Sequence, residues 1–444
     1  MKAIRSQNVV LPTGVKSATV VFDKGKIVHV LEESSSESLD CEILEIGSLA
    51  LLPGIIDTHV HINEPGRTEW EGFKSATHAA AAGGITTVID MPLNCIPVTT
   101  TTLALLEKLK ALKGKLWVDC GLHGGVVPGN SDELLPMINK GVRSFKAFMI
   151  DSGIEEFKCC SEGDLSKAMP ILAEANIPLL VHAELGEFLR EQRDDKAYKS
   201  FLNSRPAQME VEAIRKIIAL AKKYNSWIHI VHLSAAEALP EIKKAKEQGV
   251  KITAETCPHY LVLAAEGIPD GDGRYKCAPP IRGSKNRDLL WQGLRDGVID
   301  FIVSDHSPCL PRLKRLEEEN LKLAWGGISS LQFGLSLIWT ALRQRGMTLN
   351  ELCLWMCQRP SKLVGLDQRK GKIATGFDAD FVIMDPEKEQ TILCENIMHR
   401  HKITPYEGQK VFGQVQATFL RGEKIFGLSN EAMVFSDRPQ GEVI

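Results

Sequence analysis

The chain has 444 residues, 44% of them hydrophobic and 25% charged, an ordinary globular composition with enough length for a large core and a smaller module. The formal net charge is −3 with acidic and basic residues mixed throughout, which excludes field-driven attraction to nucleic acid or to an anionic membrane and leaves a small, neutral or weakly charged molecule as the expected partner. The 11 cysteines include no CxxC pair, the opening MKAIRSQNVVLPTG has no apolar signal stretch, and no apolar run reaches the roughly 20 residues that cross a bilayer, so a soluble intracellular protein with reduced thiols is expected.

Taken in chain order, SATVVFDKGKIVHVLE near the start reads as short strands joined by tight turns, and ESSSES around residues 33–37 reads as a solvated loop. From about Gly54 to Ile302 short apolar runs recur, each followed by a helix-like segment: GIIDTHVH, TTVIDM, LWVDCGLH, SFKAFM, PLLVHA, IHIVHL, ITAETCP and DFIVSDH. Near-continuous apolar strands alternating with helices, such as the one expected from Val211 to Tyr224, indicate parallel strands covered on both faces. Eight such units favour a closed (β/α)₈ barrel of the TIM type over an open sheet. Cys353 and Cys357, four apart on an expected helix, read as half-buried apolar residues and not as metal ligands. GFDADFVIMDP and VQATFLRGEKIF near the end are strands again. The N-terminal flank is too short to bury a core alone, so the two flanks are expected to form one small β-sandwich. The division is residues 1–50 and 373–444 for the sandwich and tail, and 51–372 for the barrel.

Polar groups are costly inside buried strands, yet these strands finish on them: His59 and His61 on the first, Lys146 on the fourth, His182 on the fifth, His232 on the sixth and Asp305 on the eighth. In a barrel of this type the C-terminal rim carries the active site. His59 and His61, two apart on a strand, point the same way and can chelate one ion. A single histidine would read as a satisfied core or surface residue, but four at corresponding strand ends do not. Four imidazoles, an aspartate and a lysine exceed the three protein ligands of a simple catalytic zinc, which points to two ions sharing a bridging group. An ammonium has no lone pair to offer, so Lys146 is either an ion-pair donor or is carbamylated by carbon dioxide into a carboxylate that bridges two ions.

With these residues the chain resembles the cyclic amidohydrolases, and within them the allantoinase branch. The resemblance spans nearly the whole chain and rests on an ordered set of stretches: NEPGRTEWEG from Asn63, MPLN ending at Asn94, SRPAQMEVEAI from Ser204, TCPHYLVL from Thr256, CAPPIR from Cys277, SDHSPC from Ser304, AWGGISSLQ from Ala324 and RHKITPYEG from Arg400. It implies a barrel with a sandwich from both termini, and a binuclear centre, usually zinc, held by His59, His61, Lys146 as N6-carboxylysine, His182, His232 and Asp305. It also implies hydrolysis of the hydantoin ring amide of allantoin to allantoate in purine (urate) catabolism, with Asp305 moving the proton from water to the leaving nitrogen.

Asn94, Ser307 and Trp325, in loops beside the strand ends, are candidate substrate contacts or plain loop residues. Gly326 and Gly327 either let backbone approach a ligand or supply a turn, and His259 either lines the pocket or braces the seventh strand. Dihydroorotases usually carry an arginine two residues after the HxH pair, where this chain has Asn63, and dihydropyrimidinases a tyrosine shortly after the lysine, where it has Asp151 and Ser152. A dihydropyrimidinase or hydantoinase is the alternative activity, and a non-catalytic assembly protein that keeps the fold is the alternative of another class. LPRLKRLEEENLKLAWGG, after SDHSPC, departs from the usual family loop. The resemblance implies a homo-oligomer, dimer or tetramer. The cytoplasm is the default compartment, with a peroxisome or mitochondrion left open although GEVI is not a peroxisomal tripeptide.

Overall fold

The computed structural model describes residues 1–32 and 40–444, so the serine-rich stretch expected to be a solvated loop lies outside the described residues. Strands β1 (Lys2–Leu11), β2 (Gly14–Asp23) and β3 (Lys26–Glu32) form an antiparallel meander. Its second turn places Lys24 and Gly25 both at positive φ, 47° and 79°, the two-residue turn whose twist matches that of its flanking strands. β4 (Glu42–Glu45) and β5 (Ala50–Pro53) lie parallel to β1.

Nine short strands follow: β6 (Ile55–Val60), β7 (Ile85–Asp90), β8 (Asp119–Leu122), β9 (Gly124–Gly125), β10 (Phe145–Phe148), β11 (Leu179–His182), β12 (Ile228–Ile230), β13 (Ile252–Thr256) and β14 (Phe301–Ile302). All their pairings are parallel, in the orders β6-β7-β8 and β14-β13-β12-β11-β10-β9. The expected strands are therefore present, with the third split at His123 into β8 and β9. The two sheets meet at both ends. β8 runs through His123 into β9, and beyond β14 the His306 carbonyl accepts from the His61 N–H at 2.8 Å, making a parallel bridge between Val60 and His306. Helices follow most of the strands, among them Phe73–Ala82, Glu162–Glu174 and Gln208–Tyr224. The second starts at a reciprocal cap between Ser161 and Asp164, and the third buries an apolar stripe that includes Ala213, Ile214, Ile217 and Ala221.

The C-terminal strands β15 (Phe381–Thr391), β16 (Lys410–Leu420), β17 (Glu423–Ser429) and β18 (Ala432–Phe435) are antiparallel, and β15 pairs with β5. The two flanks thus share one continuous nine-stranded sheet, β18-β17-β16-β15-β5-β1-β2-β3 with β4 beside β1. This sheet encloses a core of its own, including Ile4, Val20, Phe22, Leu51, Phe381 and Phe419. The last residues leave it: the Cys120 N–H donates to the Glu442 carbonyl at 2.9 Å, and the chain end lies along β8. Cys353 and Cys357 are fully buried, deeper than expected, at the junction of a helix and a single π-turn. Among the described residues no helix is long and apolar enough to cross a membrane.

A buried charge cluster joins the sheet to the parallel strands. Lys370, 2% exposed, lies 2.8 Å from Asp119 at the start of β8 and 2.5 Å from Asp380, while Arg421 grips both oxygens of Asp119 at 2.7 Å. Removing one partner from such a cluster leaves uncompensated charge in a low-dielectric site, worth about 3–5 kcal/mol. Lys370→Met is therefore expected to lower unfolding stability by about that amount in denaturant titration. An unchanged midpoint would show that water reaches the cluster.

Candidate metal centre

His59 lies in β6 and His61 directly after it, Lys146 is in β10, His182 ends β11, and His232 and Asp305 follow β12 and β14 within three residues. All are at least nine-tenths buried. The structure brings the six sequence-selected residues together. The imidazoles form a chain with ring centres 5.5 Å apart from His61 to His59, 5.5 Å from His59 to His232 and 4.6 Å from His232 to His182. β12 and β14 stop early because His232 and Asp305 adopt positive φ, 39° and 45°, as do Asn63 and Asn94 at 66°. Non-glycine residues held there cost roughly 1–3 kcal/mol each and gather at functional sites.

Hydrogen bonding fixes which ring nitrogens face inward. His59 Nδ1 lies 2.5 Å from Glu255, whose other oxygen meets His229 at 2.9 Å; the adjacent imidazoles outweigh burial and hold that carboxyl down to about 2. His59 Nδ1 therefore carries the hydrogen, and the lone pair of Nε2 points at Asp305 Oδ1, 3.2 Å away, with no hydrogen-bond partner. His61 Nε2 is 3.5 Å from the same oxygen. At the other end His182 Nε2 meets Glu184 at 2.7 Å, and Arg205 clamps Glu184 at 2.6 and 3.1 Å, so that Glu184, despite its burial, is also held at about 2. That leaves the His182 Nδ1 lone pair facing His232 Nε2 at 3.0 Å, while His232 Nδ1 has no partner at all.

A lone pair aimed at a carboxylate oxygen, as His59 Nε2 is at Asp305, repels it unless a cation lies between them, and His232 brings a second unpartnered ring nitrogen to the cluster. Two donors about 2.0–2.1 Å from one tetrahedral ion sit about 3.3 Å apart, close to the observed spacings. Burial pushes the His61 imidazole down to about 4 and that of His232 well below its ordinary value, which keeps both neutral, the form that binds a metal. For Asp305 burial pushes the carboxyl up, but His59 and His61 overcome it and hold it ionised. His59, His61 and Asp305 form one compact donor group. The donor set fits divalent ions.

Lys146 borders both halves of the cluster. It is 1% exposed, its ammonium lies 5.1 Å from the centre of the Phe148 ring, and among the described residues that ammonium makes neither a hydrogen bond nor an ion pair. Burial pushes its amine down to about 8 against the pull of Asp305 and Glu255. The ion-pair reading of this lysine thus finds no partner.

These groups lie at the base of an open cavity of about 620 Å³. Asn94, Ser307, Trp325, Gly326 and Gly327 line it, as do Asp151 and Ser152. Asn94 also touches His61, amide to Nδ1, at 3.3 Å. Gly327 has φ 143°, and a Cβ there would stand 2.4 Å from the Ser307 carbonyl oxygen, so the close approach of backbone requires glycine. His259 is buried beneath Asp305 and does not line the cavity; Asn63 binds the Pro308 carbonyl at 3.2 Å. Sequence reasoning missed Glu184, Arg205, His229 and Glu255. The available signal was a carboxylate within an apolar strand run, HAE after β11 and AET in β13. It also had no means to separate His123, at another strand end, whose ring is spent on the Thr58 carbonyl at 2.9 Å and the Ser144 hydroxyl at 2.5 Å.

Against known proteins, the amidohydrolase family matches residues 50–425. An allantoinase from Streptomyces avermitilis is 46% identical over 95% of this chain and 94% of its own, and one from Saccharomyces cerevisiae is 42% identical over 100% and 98%. Among solved structures, an L-hydantoinase (dihydropyrimidinase) from Arthrobacter aurescens superposes with a TM-score of 0.92 at 28% identity, covering 100% of this chain and 99% of that one. A fold match over the full length, a family match over most of it and a buried donor set of the expected chemistry coincide: the chain belongs to the amidohydrolase family.

Proposed function

We propose that this chain hydrolyses the hydantoin ring amide of allantoin to allantoate at a binuclear centre held by His59, His61, Lys146, His182, His232 and Asp305. The observation that carries the reading is the lone pair of His59 Nε2 aimed at Asp305, beside the adjoining His182 and His232 rings and a buried lysine whose ammonium has no partner among the described residues. Relatives called allantoinase reach 46% identity, against 28% for the hydantoinase structure, and this favours allantoin over other hydantoins. The bridge between Val60 and His306 supports a closed (β/α)₈ barrel over residues 51–372, with a sandwich built from 1–50 and 373–444. The 11 cysteines, all unpaired, suit a reducing intracellular compartment. Exposed Leu103, Leu106 and Leu135 on neighbouring helices offer apolar surface for a homo-oligomer.

Addition of carbon dioxide to the Lys146 amine, with release of one proton, gives a carbamate whose two oxygens can serve both halves of the cluster. Divalent ions, zinc being the natural choice for this donor set, supply Lewis acidity and make water deprotonatable near neutral pH. The chain's own residues do the rest. Glu255 and Glu184 fix the tautomers of His59 and His182. Asp305, held ionised, takes a proton from the attacking water and returns it to the ring nitrogen as the C–N bond breaks, so that water is consumed and a carboxylate and a ureido nitrogen appear. Asn94, Ser307 and Trp325 bind and orient the ring within the cavity.

Protein reconstituted with Zn²⁺ and bicarbonate should contain two ions per chain roughly 3.5–4 Å apart with Lys146 between them, by metal analysis and crystallography. Full activity with a single ion would sink the binuclear centre. A metal-free but folded protein that never takes up zinc would point to a non-catalytic role.

Glu184→Gln removes the charge that holds the His182 tautomer, and a lost outer partner typically costs 10–100-fold in metal affinity. About that loss is expected in zinc titration against a chelator, with folding retained. Unaltered affinity would leave Glu184 without this role.

In a side-by-side kcat/KM comparison on zinc-loaded enzyme, allantoin should be opened much faster than dihydrouracil or dihydroorotate, because groups built for the ureido arm are left unpaired by the other rings. Preference for dihydrouracil would move the assignment to dihydropyrimidinase with the metal chemistry intact.

A further inference from the structure

The segment 310–327 brings Trp325, Gly326 and Gly327 into the cavity lining. Beyond a short turn at Pro311–Lys314 it has no regular structure, so no strand or helix ladder fixes its shape. Two lysines hold it from within. Lys314, 2% exposed, donates to the carbonyls of Trp325, at 3.0 Å, and Gly327. Lys276 donates to the carbonyls of Ala324 at 2.7 Å and Lys322 at 3.0 Å, and its own carbonyl accepts from the Gly327 N–H at 2.8 Å.

Among the described residues neither ammonium forms an ion pair, and Asp272, the nearby acid, is bound to Arg274 at 2.7 Å. A charge buried without a counter-ion is costly, and the hydrogen-bond compensation for the Lys314 ammonium is two carbonyls of this loop, while half-buried Lys276 adds two more and lies 5.4 Å over the Phe201 ring. The arrangement reaches the metal ligands. Trp325 packs edge-on against Trp70 at 5.0 Å, Arg67 lies 5.3 Å over Trp70 and donates to the Asn94 carbonyl at 3.4 Å, and Asn94 touches His61.

We propose that Lys314, seconded by Lys276, is the positioning residue of this cavity wall: its ammonium gathers the Trp325 and Gly327 carbonyls and so sets the shape in which Trp325 and the two glycines meet the substrate. The proposal rests on the ring-opening reading given above. It assigns the lysine to binding geometry, not to chemistry.

The test compares zinc-loaded wild type, Lys314→Met and Lys276→Met, since methionine keeps most of the stem and removes the donors. For Lys314→Met, KM for allantoin should rise about tenfold to a hundredfold with kcat within about twofold, because the wall is displaced while the reacting groups are not. Zinc content and thermal midpoint should match wild type, and trypsin should cut faster at Arg312, Arg315 or Lys322. If Lys314→Met does not fold, Lys276→Met decides by the same KM and cleavage criteria. Unchanged KM with unchanged trypsin resistance overturns the proposal, as does loss of fold or of zinc in both variants, which would make the lysines general supports. A wild type inactive on allantoin defeats the substrate reading instead, and the trypsin comparison still decides the clamp.

Discussion

Four imidazoles, a lysine and several carboxylates are enclosed at one end of the parallel strands with almost no access to water, and burial without partners would be ruinous for each of them. The structure meets this for His59 and His182 by giving each ring an outward carboxylate partner. Glu255 takes His59 and His229 together, and Glu184 takes His182 while Arg205 takes Glu184. Left without a hydrogen-bond partner among the rings of the cluster are His59 Nε2 and His232 Nδ1. The pattern of satisfaction defines the site as much as the identity of the six residues, since a carboxylate behind an imidazole both fixes its tautomer and raises its basicity.

The surrounding scaffold is arranged to keep that geometry rigid. Parallel strands covered on both faces supply ends that do not move independently, and the early stops of β12 and β14 place His232 and Asp305 where continued strands would have turned them aside. The C-terminal sheet also contributes to the mouth. Arg400 donates its N–H to Glu71, which meets the ring of His306 next to Asp305, and the Thr404 hydroxyl donates to the Ser329 carbonyl beside the cavity-lining loop. The RHKITPYEG stretch therefore works as a strap between the two parts of the chain.

Inside this frame two polarities coexist. The base of the cavity carries neutral imidazoles and an ionised aspartate, and the wall carries Arg205, Lys276 and the loop held by Lys314. Hydrolysis of any ring amide creates a carboxylate, and Lys276, which forms no ion pair among the described residues, is a cation of the wall left to face it.

The strand order and the six central residues could be read from the chain because both are local signals: apolar runs bounded by turns, and polar residues where such runs stop. His59, His61, His182, His232 and Asp305 betray themselves by sitting at or just past the end of a segment that should be greasy, and Lys146 by lying inside one, as the second residue of β10. The pairing of the two flanks was also legible, since the N-terminal one is too short to bury a core alone. That they form one continuous sheet through β5, that the final residues dock along β8, and that Lys370 and Arg421 tie Asp119 to the sheet depended on contacts between segments hundreds of residues apart, which no local pattern encodes. The same holds for the site's supports. Glu184, Arg205, Glu255 and Lys314 are ordinary charged residues in sequence, and only the folded chain decides which charge finds an imidazole, which finds a ring of carbonyls and which finds water, because those energies depend on burial and distance and not on neighbours along the chain.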